Sequence, residues 1–169
     1  MLIMKITQYL YSEDVGELEA IAKKAFRATN DSSIEGWFSF AEMRGAIESQ
    51  RGMCLKAVSD DEKVLGFIYA QPESPINGVE GLEKWVIVII AVNPDSASRG
   101  IGAALLNEIE QQASGKGAIK MFVYTNKGDE RVVGFYQKNG YSDAGWVRDY
   151  QYGENNSAVF LIKYLKPKF

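Results

Sequence analysis

The stretch Ile89-Ile90-Ala91-Val92-Asn93-Pro94-Asp95-Ser96-Ala97-Ser98-Arg99-Gly100-Ile101-Gly102-Ala103-Ala104-Leu105-Leu106 decides how this chain reads. It opens on the end of an apolar, largely β-branched run, Trp85 to Val92, the pattern of a central strand buried on both faces. Pro94 cannot donate to a strand ladder, so the strand stops there. A loop of small residues follows. From Gly100 to Ala113, Ile101, Ala104, Leu105 and Ile109 then recur at helical spacing, and Gly115 and Gly117 end the helix. A strand, a small-residue loop and a helix that begins beside two glycines together suit an anion. Free amides at a helix N-terminus, backed by the positive end of the helix dipole, hold phosphate. Glycine lets the backbone come close to it, and Arg99 adds charge at the rim. A Walker loop is excluded, because no Gly-Lys-Ser/Thr closes the segment. The dinucleotide fingerprint is excluded too, since it needs an early strand and a small residue where Leu105 stands. On spacing alone, packing of the helix on the strand explains Gly-x-Gly equally well.

Upstream, Met4 to Gln8 reads as a short strand. Ser12 offers an N-cap, and Leu18, Ile21, Ala22, Ala25 and Phe26 follow at helical spacing. A second helix is expected from Ile34 to Ser49, with Phe40, Met43 and Ile47 on one face. Cys54 to Ser59 and Val64 to Gln71 form a hairpin around Asp60-Asp61-Glu62-Lys63, and Pro72 to Glu83 is a loop. Downstream come a strand, Ala118 to Thr125, and a helix, Glu130 to Asn139, with Gly140 as its cap. A last hairpin of Trp146 to Tyr152 and Ala158 to Leu165 turns at Gly153-Glu154-Asn155-Asn156. The order β-α-α-β-β-β-α-β-α-β-β, in one domain over residues 1–169, implies an α/β sheet of mixed direction.

Bulk properties narrow the chemistry. A length of 169 residues suits one domain with a full core, and 46% hydrophobic with 24% charged residues is a globular composition. A net charge of −3 provides no basic field for nucleic acid. The chain has no histidine, which removes the usual zinc ligands and histidine bases; no metal site is expected. Catalysis must run on tyrosine, carboxylates, other side chains, backbone amides or water. Cys54 is the only cysteine and reads as a small buried hydrophobe, in keeping with a cytoplasmic location. Met1 to Leu10 lacks a signal-peptide core and Trp85 to Val92 is too short to cross a bilayer, so no membrane association is expected.

Two motifs carry a family resemblance. Val92-x-Pro94 with Arg99-Gly100-Ile101-Gly102 and Leu105-Leu106 resembles motif A of the GNAT superfamily of N-acetyltransferases. Phe135-Tyr136-Gln137-Lys138-Asn139-Gly140-Tyr141 resembles its motif B, and the order of elements matches over nearly the whole chain. The resemblance implies a single GNAT-fold domain, a mixed central sheet flanked by helices. It also implies transfer of an acetyl group from acetyl-CoA to a primary amine of a small molecule, peptide or protein, directly within a ternary complex. The alternative is a non-catalytic acyl-CoA-binding or regulatory module on the same fold. Many relatives form dimers, so a homodimer is compatible with the resemblance.

Residue roles follow from the resemblance alone. The backbone of Ile90, Ala91 and Val92 would pair with the pantetheine arm, and the amides of Ala97, Ser98, Arg99, Gly100, Ile101, Gly102 and Ala103 would hold the pyrophosphate. The family's arginine or glutamine falls on Ala97, leaving a backbone contact only. The family's motif B asparagine and its small alanine fall on Asp129 and Val132, with Asn126 as a substitute by a loop shift. Tyr136 aligns with the tyrosine that protonates the departing thiolate, and Val92, or its neighbour Ala91, supplies an amide to the oxyanion. The family's strand glutamate falls near Val86, which leaves Glu83 or a chain of waters as the base. The acceptor side would draw on Asp31, Glu35, Trp37 and Phe40 between the first helices and on Trp146, Tyr150 and Tyr152 of the last hairpin, with carboxylates and aromatic faces suited to a cationic amine.

Overall fold

The computed structural model describes residues 4–9, 15–27, 34–73, 83–151 and 155–165. Among the described residues, seven strands form a mixed sheet in the order β1-β2-β3-β4-β5-β7-β6, accompanied by four α-helices. The chain divides into two compact units, residues 1–71 with 88–112 and residues 72–87 with 113–169.

In the first unit, β1 (Met4–Gln8), β2 (Met53–Ser59) and β3 (Val64–Pro72) are joined antiparallel. β2 is buried at every position but Lys56. The amphipathic α1 (Val15–Arg27) puts Leu18, Ile21 and Ala22 into the core, where they meet Tyr9, Ile34, Phe38, Met43, Phe67 and Tyr69. Ser12, the expected cap of α1, lies outside the described residues. The expected helix Ile34 to Ser49 is two pieces, a 3-10 turn at Ile34–Gly36 and α2 (Phe40–Glu48). Ser39 causes the break. Its hydroxyl accepts from the Glu42 N–H at 3.2 Å, and a capping residue has an extended backbone. α3 (Ile101–Gly115) buries Ile101, Leu105, Leu106, Ile109 and Ala113. Leu106 joins that face, whereas Ala104 is only half-buried.

β4 (Lys84–Val92) departs from the expectation of burial on both faces. Trp85, Ile87, Ile89 and Ala91 are buried, while the alternate residues Val86, Val88, Ile90 and Val92 are half-covered. The strand's period of two persists beneath an apolar composition that hides it.

In the second unit, Lys84, Trp85 and Val86 pair in parallel with Lys120, Met121 and Phe122 of β5 (Lys120–Asn126). β7 (Ala158–Tyr164) pairs antiparallel with β5 along its whole length and with β6 (Ser142–Val147) on its other edge. β6 begins earlier and ends sooner than the expected strand Trp146 to Tyr152, and all six of its residues are exposed. Tyr150 therefore sits in the connection after β6 and not on a strand, and Tyr152 lies outside the described residues. α4 (Glu130–Lys138) is capped by Asp129, whose carboxylate accepts from the Val132 N–H at 3.1 Å. Among the described residues no helix is long and apolar enough to cross a membrane.

Candidate functional site

The connection from β4 to α3 lies wholly in the first unit. The Asn93 N–H donates to the Leu65 carbonyl at 2.8 Å, tying the end of β4 to β3. Beside this bond a Cβ on Gly66 would lie 2.7 Å from the Ala91 oxygen and 3.1 Å from the Val92 Cα, so only glycine lets the two backbones approach this closely. A 3-10 turn, Pro94–Ser96, follows. Bonds from Ser96 N–H to the Asn93 carbonyl (2.8 Å) and from Ala97 N–H to the Pro94 carbonyl (3.2 Å) close it. The Asn93 side chain accepts from the Asp95 N–H at 3.2 Å, and Ser96 is buried.

The backbone then alternates in handedness. Ser98 has φ of 64° and Gly100 of 76°, left-handed conformations on either side of Arg99. Such alternation turns successive N–H groups toward a common concavity that suits an anion. Space around Gly100 is open, so its positive φ, and not crowding, is the reason for glycine there. The first bond of α3 runs from Ala104 N–H to the Gly100 carbonyl at 3.0 Å. The N–H groups of Ile101, Gly102 and Ala103 thus precede the first complete turn. Among the described residues none of the N–H groups from Ser98 to Ala103 donates to a protein acceptor. The loop offers a run of oriented donors at the positive end of a fifteen-residue helix.

One neighbour of this loop escaped the sequence reading. Lys24, in the last turn of α1, bonds the Asp95 carboxylate at 2.5 Å. A separation of 71 residues left no local signal for it. Gly66 was also missed, although a lone glycine inside a strand is itself a signal of close backbone approach.

In the second unit, Tyr136 is buried on α4, its ring edge-on to Phe135 at 5.1 Å and to Tyr141 at 5.3 Å. Burial pushes its phenol well above the usual tyrosine range, so the proton stays on the oxygen at ordinary pH. The turn from β5 into α4 accounts for the departures from motif B. Asp129 caps the helix, and the Asn126 side chain accepts from the Gly128 N–H at 2.8 Å while its amide donates to Asn156 at 3.3 Å. Glu83 is exposed and stands directly before β4. Its carbonyl accepts from Ile119 at 2.9 Å, a structural contact.

The acceptor candidates fall in different places. Asp31 lies outside the described residues, and of Glu35 only the backbone, in the 3-10 turn Ile34–Gly36, is described. Trp37 is 48% exposed at the rim of the aromatic core, edge-on to Phe26 at 5.2 Å and to Phe38 at 5.9 Å, while Phe40 packs on Phe38 at 4.8 Å. In the second unit, Tyr150 is half exposed and packs edge-on to Tyr124 and Phe160, each at 5.2 Å. Trp146, also half exposed, carries the Lys127 ammonium 3.6 Å from its ring centre.

A strand, a donor-rich turn and a helix in this order suit an anion, and the sequence match gives the family. Residues 10–141 match the acetyltransferase (GNAT) family, and the chain belongs to that family. The match includes the β4–α3 loop and Tyr136 and ends just before β6. Among solved structures, the chain is similar to an aminoglycoside 6'-acetyltransferase type Ii at 23% identity, with 97% of this chain and 99% of that one covered and a TM-score of 0.74. It is similar to an aminoglycoside 6'-N-acetyltransferase complexed with coenzyme A at 19% identity, covering 97% and 98%, with a TM-score of 0.76. It is also similar to the ribosomal-protein-S18-alanine N-acetyltransferase from Escherichia coli at 16% identity, covering 99% and 97%, with a TM-score of 0.72. At these identities the likeness establishes the fold. The sequence matches no curated protein.

Proposed function

We propose that this protein is an acetyl-CoA-dependent N-acetyltransferase acting on a primary amine of a small molecule, peptide or protein. The observation that carries the reading is the run of amides from Ser98 to Ala103 at the start of α3, unpartnered among the described residues, in a chain of the acetyltransferase family. Those donors fit a pyrophosphate and need no side chain from Ala97. Acetyl-CoA, when bound, supplies an acetyl thioester. The backbone of Ile90, Ala91 and Val92 is assigned to the pantetheine arm. Val92, or its neighbour Ala91, provides an amide for charge developing on a carbonyl oxygen, a kind of contact worth about 3 kcal/mol. Tyr136 holds a proton on its phenolic oxygen for a thiolate leaving group, and its burial keeps that proton in place. Asn126 is assigned to the cofactor side through the β5–α4 turn. Glu83 or a chain of waters is assigned to take the proton of the attacking amine. Trp37 and Tyr150 offer exposed aromatic faces for the acceptor, with Asp31 and Glu35 as the carboxylates nearest Trp37 in sequence.

The experiment is calorimetric titration with CoA, followed by hydrolysis-corrected CoA release from acetyl-CoA over an amine panel. Aminoglycosides and alanine-terminated peptides head the panel, because acetyltransferases for both kinds of acceptor share the fold. Saturable binding with amine-dependent turnover is the expected result. Binding without turnover on any amine would point to the non-catalytic acyl-CoA-binding module. No binding at all would sink both.

A further inference from the structure

We infer that Lys24 sets the electrical charge of the phosphate-binding loop. From Asn93 to Ala103 the only ionisable side chains are Asp95 and Arg99, so the loop's own charges cancel. The Asp95 backbone is held in place. Its N–H is held by the Asn93 side chain, and its turn is closed on both sides by backbone bonds. It is three residues before Ser98, where the donor run begins, which limits the separation along the chain to about 11 Å. That is close to the screening length of about 8 Å at physiological salt, so a bare carboxylate there opposes an incoming polyanion. The Lys24 ammonium lies directly on that carboxylate. It comes from α1, which is anchored by the burial of Leu18, Ile21 and Ala22.

The pair is too exposed to serve stability. The Lys24 side chain is 51% exposed and that of Asp95 71%, and exposed pairs contribute little to folding. Its effect falls on the anion. With Lys24 the loop region carries +1, and without it zero, as the count of Lys24, Asp95 and Arg99 shows. This inference rests on the loop being the CoA pyrophosphate site.

Four full-length proteins test it by calorimetric titration with CoA: wild type, Lys24→Ala, Asp95→Asn and the double variant. Their loop charges are +1, 0, +2 and +1. Affinity should follow the charge. Lys24→Ala weakens binding by roughly threefold to tenfold at low salt, Asp95→Asn binds at least as tightly as wild type, and the double variant returns to within about twofold of wild type. The differences should collapse at about 1 M salt, where the screening length is about 3 Å. Thermal melts of the four proteins should coincide. Two weakened single variants with no recovery in the double would mean that the pair only pins the turn, overturning the inference. A double variant as weak as Lys24→Ala would mean that Lys24 touches the phosphate itself, and equal affinities throughout would remove any role. If the wild type fails to bind CoA, the proposed function falls, and this inference with it; if it binds and the charge order fails, only the inference falls.

Discussion

The β4–α3 loop and the β6 region use opposite materials. The loop from Asn93 to Ala103 presents main-chain N–H groups, shaped by the 3-10 turn and the positive φ of Ser98 and Gly100. β6 and the connection after it present side chains: Trp146 and Val147, on a strand with no buried residue, and Tyr150, in the connection, are each about half exposed. A backbone site tolerates a change such as the one at Ala97, because the donors belong to every residue type but proline. A side-chain site is remade by each substitution. The family match includes the loop and stops before β6. Under the proposed function, the cofactor falls to the backbone region and the acceptor to the exposed aromatics.

The comparison breaks most sharply at Gly66. Gly66→Val drives a side chain into the Ala91 and Val92 backbone, and should cost about 3 kcal/mol or more. Urea unfolding would measure it, and an unchanged midpoint would mean that β3 and β4 do not approach as described. Tyr136→Phe comes next. It should lower kcat by roughly a hundredfold while leaving the CoA dissociation constant within about twofold, since the proposed cofactor contacts are to backbone amides. Full activity in this variant would return Tyr136 to the role of a packed aromatic.

The alkaline limb of stability is a smaller test. Cys54, Tyr69 and Tyr136 ionise at 9.0, 10.0 and 10.0 when unperturbed, and burial raises all three, Tyr69 to about 12. As pH rises, the unfolded chain gives up these protons first, so their contribution is intact below about pH 9 and is lost progressively above it. Denaturant midpoints at pH 8 and at pH 11 should differ in that direction; a flat profile would contradict the burial of these groups. The smallest effect on stability should be that of Tyr150→Ala, about 0.5 kcal/mol for an exposed residue. Its expected signature is kinetic: a raised KM for the amine with the KM for acetyl-CoA unchanged. Equal changes in both constants would blur the division between the two regions.

Much of the fold was legible because its signals are local. Helical spacing in α1 and α3, the polar turn between β2 and β3, and two glycine-bearing motifs each lie within a few residues. The errors share a cause. Ser39 reads as an ordinary polar residue until its hydroxyl is seen capping α2, so one helix was expected where there are two pieces. The last hairpin alternates too weakly for its boundaries to be read, because β6 is exposed throughout and has no buried face to mark. Motif B departs from the family at Asp129 for a reason only geometry supplies: Asp129 is a helix cap.

The residues between Ile89 and Leu106 by themselves determined a strand, a small-residue turn and a helix that presents free amides. Proline at a strand end, glycine at a positive φ and apolar helical spacing act through bonds and nearest neighbours, so no distant contact is needed to read them. Tertiary structure alone decided that Lys24 meets Asp95 across 71 residues, that Gly66 lies under Ala91, that Tyr136 is sealed among Phe135 and Tyr141, and that Tyr150 stays half exposed. Charge pairing, close backbone approach and burial depend on which segments the folded chain brings together, and that information is spread over the whole sequence.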